Sequence, residues 1–340
     1  MDASGGPWHG CSEVYQSAVK RMPLARETAD DLRSFLPLLV CPKSSDDAGQ
    51  CGGSLDLSAA SHLSCRTCGA TYTVDDGIPI LIPGDDSRPL TPAWVKQRAY
   101  FDDALESEFE IERPEAGGPF YSYLIRTKFR RALNEQELLG TEAILDACCG
   151  SGILSEYLSC LTKGVVIGFD FSIGAVRRAR ERARRHSYNF FGVVGDAASP
   201  PFRRMAFSLV AVHDALHHLD NPIEVACRLA DLTSGALVVI EPCEGWLTRV
   251  AVAVGFSTDV EEAGNAVRRF RPHELMAVVH KAGFSKIALD RYVMYYPHRP
   301  GPLFRFFDHQ PLLWLGRAAT QLGSLVGSFA GNKLQLVARR

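Results

Sequence analysis

The feature that most constrains this chain is a succession of short apolar segments beginning at residue 143. "AILDA", "VVIGFD", "FFGVVGD", "FSLVAVH" and "ALVVIEP" follow one another, with helical segments between the early ones. In the first of these helices, "ILSEYLSCL", Ile153, Leu154, Tyr157, Leu158 and Leu161 share one face. Buried strands alternating with helices predict an α/β fold with a mostly parallel, doubly wound sheet that helices cover on both faces. "IALDRYVMYY" and "KLQLVARR" bring the expected strands to seven.

The loop after the first strand narrows the function. "CCGSG" is a tight turn between strand and helix, the place where a nucleotide-like ligand approaches the backbone in such sheets. Gly150 and Gly152 let the main chain come close, and the helix N-terminus offers free N–H groups. Asp170, at the end of the second strand, lies about 20 residues beyond the loop, where an acid meets ribose hydroxyls. Asp196 ends the third strand in "VVGDA". Three acids at successive strand ends are more specific than one Gly-rich loop. A dinucleotide site is the alternative, but "GSGILS" matches its fingerprint only weakly.

Through "LDACCGSG", "GFDFS", "GDA" and "VAVHDALHHL", residues 120–340 resemble the class I S-adenosylmethionine-dependent methyltransferases. The last segment is similar to the small-molecule and quinone methyltransferase branch of that family. The resemblance implies a Rossmann-like seven-stranded sheet. It also implies a donor site in which Asp146, Cys148, Gly150 and Gly152 shape the methionine side. Asp170 would lie at the ribose and Asp196 at the adenine amino group, with Phe171 and Ala197 beside the ring, and Ser172 belongs to the same donor-site set. Cys148 stands where the family has its first loop glycine.

Methyl transfer is a displacement at a sulfonium carbon with a good leaving group, so catalysis is largely positioning in a dry site. A base is needed only where the acceptor holds a proton of high pKa. His213, Asp214, His217 and His218 lie at the end of the fourth strand. His213, nearest the methyl path, and His217 are the candidate bases, and His213 also belongs to the donor-site set. The bland alternative is that such a pair of histidines caps the next helix. No Asn-Pro-Pro-Tyr segment appears, which argues against amide methylation of that type.

A second module lies ahead of the sheet. Cys65 and Cys68 form a CxxC knuckle followed by Gly69, and Cys41 and Cys51 would complete a four-thiolate structural Zn²⁺ site. A module of about 50 residues has too small a core to fold comfortably alone, so a metal staple makes sense. With "DDGIPILIP" it is similar to the zinc ribbon of the activator subunit of tRNA and protein methyltransferases. Nine residues separate Cys41 from Cys51, so "KSSDDAGQ" must loop out. A ribbon that keeps its fold without metal is the alternative.

The expected organisation is an extension at 1–33, the ribbon at 34–83, a linker and helical region at 84–119, and the methyltransferase domain at 120–340. Insertions at 244–272 and 298–332 would select the acceptor. The second is rich in Phe, Leu and Trp and suits a lid, a helix packed on the core, or a subunit contact, so a homo-oligomer stays open. "RRARERARRH" (177–186) reads as a solvated helix face supported by Glu181. Lys plus Arg total 37 and Asp plus Glu 39, a balance with no pull toward nucleic acid. The first 30 residues lack a signal peptide's apolar run, and no stretch of about 20 apolar residues would span a bilayer. A cytoplasmic protein is expected.

The leading reading is an enzyme that methylates an oxygen or activated carbon of a small hydrophobic metabolite, such as a quinone-like or secondary-metabolite ring. The rivals are an RNA or protein methyltransferase docking through its ribbon, and a non-catalytic donor-binding partner.

Overall fold

The computed structural model describes residues 29–45, 49–59, 61–82, 92–102, 107–133, 141–246, 248–249 and 268–340. Most of the expected extension, the stretch 83–91 of the linker and most of the 244–272 insertion lie outside these.

Seven strands form the predicted sheet: β7 (Thr141–Ala147), β8 (Thr162–Asp170), β9 (Phe190–Gly195), β10 (Phe207–His213), β11 (Thr233–Pro242), β12 (Lys286–Tyr292) and β13 (Lys333–Arg339). Their order is β12-β13-β11-β10-β7-β8-β9. β7 to β11 are parallel, and β13 runs antiparallel between β11 and β12. The central strands bury both faces with period two. Ile144, Val166, Leu209, Ala211, Val238 and Ile240 enter one core, and Leu145, Ile167, Val210, Val212, Leu237 and Val239 enter the other. Apolar residues at every position are what a strand covered on both sides requires.

A short helix, α1 (Ala29–Phe35), leads into the segment expected as the ribbon, which comprises β1 (Ser44–Ser45), β2 (Gly49–Gln50), β3 (Leu55–Ala59), β4 (His62–Cys65), β5 (Thr71–Asp75) and β6 (Ile78–Leu81). Its last strand joins the main sheet. β6 pairs in parallel with β9, so β3–β6 extend the sheet to eleven strands among the described residues. Its buried Leu39, Leu63, Tyr72 and Leu81 belong to the same core as Phe169 and Phe191, and Phe35 stacks on Phe191 with ring centroids 4.2 Å apart. The physical reason is the edge: without β6, β9 would present a row of unpaired backbone groups.

Around the sheet lie α2 (Pro92–Asp102), α3 (Ser107–Glu112), α4 (Pro119–Ala132), α5 (Ile153–Ser159), α6 (Ile173–His186), α7 (Pro222–Leu232), α8 (Pro272–Lys281), α9 (Pro302–Arg305) and α10 (Leu312–Ala330). α4 and α5 cover one face, and α7 and α8 the other. No helix of the described residues is long and apolar enough to cross a membrane.

α6 keeps the expected solvated face at Arg177, Arg184 and Arg185, the last two paired with Glu181, but other arginines of the run are packed inward. Arg182 is fully buried and donates to the carbonyls of Ser151, Arg113 and Glu110 and to Glu156. Arg177 and Arg180 pair with Asp75 and Asp76 of the ribbon, and Arg185 pairs with Glu108, Glu112 and Glu181. Composition shows a basic run; only packing shows that each of these charges has a carboxylate or carbonyl waiting.

Candidate active site

The carboxyl ends of β7 to β11 converge on the loop 148–152. Cys148 has φ +56°, a left-handed conformation that costs a side-chain-bearing residue energy and that glycine adopts freely. Gly150 has φ +52°, and a Cβ added there would meet nothing within 4 Å, so open space faces the loop. Gly152 has φ +78° and opens α5 for another reason: its missing Cβ would lie 2.9 Å from Ala179 Cβ. Its role is close packing of two helices.

The acids are arranged around that loop. Asp170 Oδ2 accepts from the Gly150 N–H at 2.9 Å and Oδ1 from the Ser172 N–H at 3.0 Å. Burial raises the Asp170 pKa. Asp146 lies beneath the loop, 1% exposed, accepting from Ser155 Oγ at 2.6 Å, and burial pushes its carboxyl up to about 7. Asp196 accepts from the Ala198 N–H at 2.8 Å. Burial raises the Cys148 thiol, and Asp170, Glu241, Asp146 and Asp196 all add to that shift. The thiol therefore stands among carboxylates from four strand ends. That surround, with the space before Gly150, fits a ligand carrying positive charge, as a sulfonium and an α-ammonium do.

Two expected site residues have other employment. Ser172 is fully buried: its hydroxyl caps α6 at the Ala175 N–H (3.0 Å) and donates to Asp102 at 2.6 Å. His217, a candidate base, is 5% exposed, with Nδ1 2.7 Å from Glu241 Oε2. Glu241 also accepts from the N–H groups of Ala215 and Leu216. The bond to His217 completes a buried brace for the turn after β10. Phe171 is half-buried, edge-on to Phe101, and Ala197 is buried. His213 is packed edge-on to Phe129, and burial brings its imidazole down to about 4.

The sequence reading missed several charged groups. Glu110 of α3 accepts from Ser151 of the loop (2.7 Å) and from Arg113 (3.1 Å), and pairs with His298 (2.7 Å). It ties α3 and the segment at His298 to the loop. Lys128, Tyr296 and Lys333 meet at Asp214. A lysine inside an apolar helix and an acid ending "ALVVIEP" were the only available signals, and neither names its partner.

In the ribbon, the sulfur atoms of Cys41, Cys51, Cys65 and Cys68 lie within 4.8 Å of one another. Cys41–Cys68 is 3.6 Å and Cys51–Cys65 is 3.8 Å. Four thiolates about 2.3 Å from one Zn²⁺ would stand roughly 3.8 Å apart. The long spacing is absorbed by the β1–β2 hairpin, in which Ser44 pairs with Gln50 and the Cys51 N–H donates to the Lys43 carbonyl at 2.7 Å. Burial drives Cys41 up to about 12; at Cys65, burial is outweighed by the N–H groups of Cys68 and Thr67, which bring it to about 7.

Residues 144–233 match a family model described as a methyltransferase domain. The chain carries a methyltransferase domain. No curated protein matches this methyltransferase. Similar solved structures include magnesium protoporphyrin IX methyltransferase from Synechocystis, with bound S-adenosylhomocysteine. It is 17% identical, over 72% of this chain and 99% of that one, with a TM-score of 0.46. A possible histamine N-methyltransferase from Thermotoga maritima is 16% identical over 73% and 99%, at 0.47. The cyclase SpnF is 18% identical over 74% and 96%, at 0.48.

Proposed function

We propose that this methyltransferase acts on an oxygen or activated carbon of a small, hydrophobic acceptor, and that its ribbon is a structural zinc module. The observation that carries the reading is the convergence of Asp146, Asp170, Asp196 and Glu241 on the loop at Cys148, beside the space at Gly150. S-adenosylmethionine, when bound, supplies an electrophilic methyl on a sulfonium. Asp170, already fixed by two backbone N–H groups, would hold the ribose, and Asp196 the adenine amino group, with Phe171 and Ala197 at the ring. Asp146 and Glu241 stay beneath the loop, Asp146 accepting from Ser155 and Glu241 from the Ala215 and Leu216 N–H groups. Phe120, Tyr121, Tyr296 and Phe304, in contact with one another, supply an apolar wall for the acceptor. We assign 34–83 to the ribbon and 120–340 to the methyltransferase domain.

The ribbon reading rests on the four sulfur positions. A macromolecular acceptor is disfavoured by α6, whose arginines are consumed internally, as the Arg177–Asp75 and Arg182–Glu156 pairs illustrate.

The test is calorimetric titration of S-adenosylmethionine into wild type and Asp170→Ala, with zinc assayed on the same preparation. Binding lost in the variant and about one zinc per chain are expected. A folded wild type that binds no donor would overturn the donor site, and a folded protein without zinc would overturn the metal site.

A further inference from the structure

The cluster at Asp214 is left unexplained by the donor site. α4 buries its apolar face in the sheet and carries Lys128 in with it, fully buried. Lys128 Nζ donates to Asp214 Oδ2 and to Tyr296 Oη, both at 2.5 Å. Tyr296 Oη donates to the same Oδ2 at 3.0 Å, and Lys333 Nζ donates to Oδ1 at 2.9 Å. Two amines thus meet one carboxylate where water is scarce, an arrangement costly to stability unless it does something. Asp214 itself has φ +44°, a strained conformation of the kind that collects at functional sites.

The cluster opens on the donor side of the sheet. β10 lies beside β7 with Val212 opposite Ala147. Asp214 is two residues past the first and Cys148 one past the second, on strands about 4.8 Å apart. Asp214 is the more accessible partner, its side chain 23% exposed while Lys128 has none. Oδ2 is occupied by Lys128 and Tyr296, with His213 Nε2 3.3 Å away, whereas among the described residues Oδ1 accepts only from Lys333, and a carboxylate oxygen can accept more than one bond. The aromatic wall adjoins it, with the Tyr296 and Tyr121 rings 6.0 Å apart.

We propose that Asp214 takes the proton of a hydroxyl acceptor during methyl transfer, and that Lys128, behind it, receives that proton. This deepens the oxygen branch of the proposed function and rests on it. The acceptor O–H donates to Asp214 Oδ1, aiming an oxygen lone pair at the methyl. The O–CH₃ bond forms as the S–CH₃ bond breaks, and the sulfonium leaves as a thioether. As the oxygen gains positive character its proton becomes strongly acidic, so even a weakly basic carboxylate accepts it. The carboxyl then turns its protonated oxygen toward Lys128, the neutral amine takes the proton on its lone pair, and Asp214 is again a carboxylate. Asp214 is the catalytic residue; Lys128 works through it. An ammonium acceptor is disfavoured by the two lysines.

The charges around Lys128 support its state. It is faced by His213 and Asp214 of β10, Glu241 of β11, Tyr296 after β12 and Lys333 of β13, with Arg113 and Tyr121 acting on Asp214 and Tyr296. Burial brings the Lys128 amine down to about 7, Asp214 opposing and Lys333 adding to the shift. At Asp214 burial is outweighed by Lys128 and Lys333, and the carboxyl stays well below its usual range. Because the neutral amine accepts the proton, turnover must rise with pH through about 7.

The experiment screens hydroxyl, amine and carbon acceptors with labelled S-adenosylmethionine against wild type, Lys128→Arg, Lys128→Met and Asp214→Asn. Donor calorimetry on each reports that the site is folded. Hydroxyl compounds are the expected products. In donor-binding Lys128 variants kcat should fall on the order of 100-fold at little change in KM, with the limb near pH 7 abolished. Asp214→Asn should fall at least as far. Acceptors lacking O–H, no turnover of any hydroxyl compound by a donor-binding wild type, or a donor-binding Lys128 variant with wild-type rate and pH profile would each overturn the proposal. A wild type that binds no donor would instead overturn the donor site.

Discussion

The ribbon and the central sheet share hydrogen-bonded strands yet are stabilised by different means. In β5 alternate residues are buried, so Tyr72 and Val74 face the core while Thr71 and Thr73 face solvent. In β9 and β10 nearly every side chain is buried. The central strands therefore draw on apolar burial twice over, and the ribbon only once. The ribbon makes up the difference with docking and with a set of four thiols. Single-sided strands bury less apolar surface per residue than strands with helices above and below.

The comparison can be broken at its strongest point first. Leu145→Ala, at a fully buried position of β7, should cost about 2–5 kcal/mol of unfolding free energy by denaturant titration. A loss under about 1 kcal/mol would mean that the two-sided core is not what holds the sheet.

The next effect crosses between the regions. The ribbon clamps the loop after β9: the Val40 N–H donates to the Pro201 carbonyl at 2.9 Å, Gln50 Nε2 to the Pro200 carbonyl at 3.1 Å, and Ser199 Oγ to the Pro42 carbonyl at 2.9 Å. That loop begins at Asp196. Chelation of zinc, or Cys65→Ser with Cys68→Ser, should therefore weaken donor binding by on the order of tenfold, about 1.4 kcal/mol, by calorimetry. Unchanged affinity in a zinc-free protein would mean that the ribbon is a passenger.

A pH effect sharpens the contrast on the sheet side. The Asp146 carboxyl is raised by burial to about 7. Its protonated form is favoured by folding, so its contribution is full below the unfolded value near 3.9 and is lost as pH rises toward 7. Donor-free Asp146→Asn should unfold with a shallower decline between pH 4 and 7, seen in thermal midpoints. A decline as steep as wild type would show that another group titrates there. The smallest effect is expected at the rim of the ribbon, where Arg66 and Asp56 pair in solvent at 2.6 Å. Arg66→Ala should leave the thermal midpoint unchanged within error.

Much of this site is legible in the sequence. Asp146, Asp170 and Asp196 end strands whose apolar runs are unmistakable, and a glycine pair marks the turn. Cys41, Cys51, Cys65 and Cys68 are legible because four thiols beginning a short module and closing on a CxxC knuckle suit a tetrahedral metal. The burial of Ser172 and His217 is not, because a hydroxyl or imidazole near a strand end looks the same whether it faces a ligand or braces a turn. Glu241, Glu110 and Arg182 escape notice because each meets partners distant in the sequence, from Ser151 to Ala215.

Sequence periodicity alone determined the parallel sheet, since only strands buried on both faces read as continuous apolar runs with helices between them. It also determined the four thiols and the strand-end acids. The tertiary structure decided that the ribbon completes the sheet at β9, because an edge is defined by what lies beside it. It also decided that Lys128 and Lys333 share Asp214. Burial and charge pairing depend on neighbours far along the chain, and a linear pattern carries no record of them.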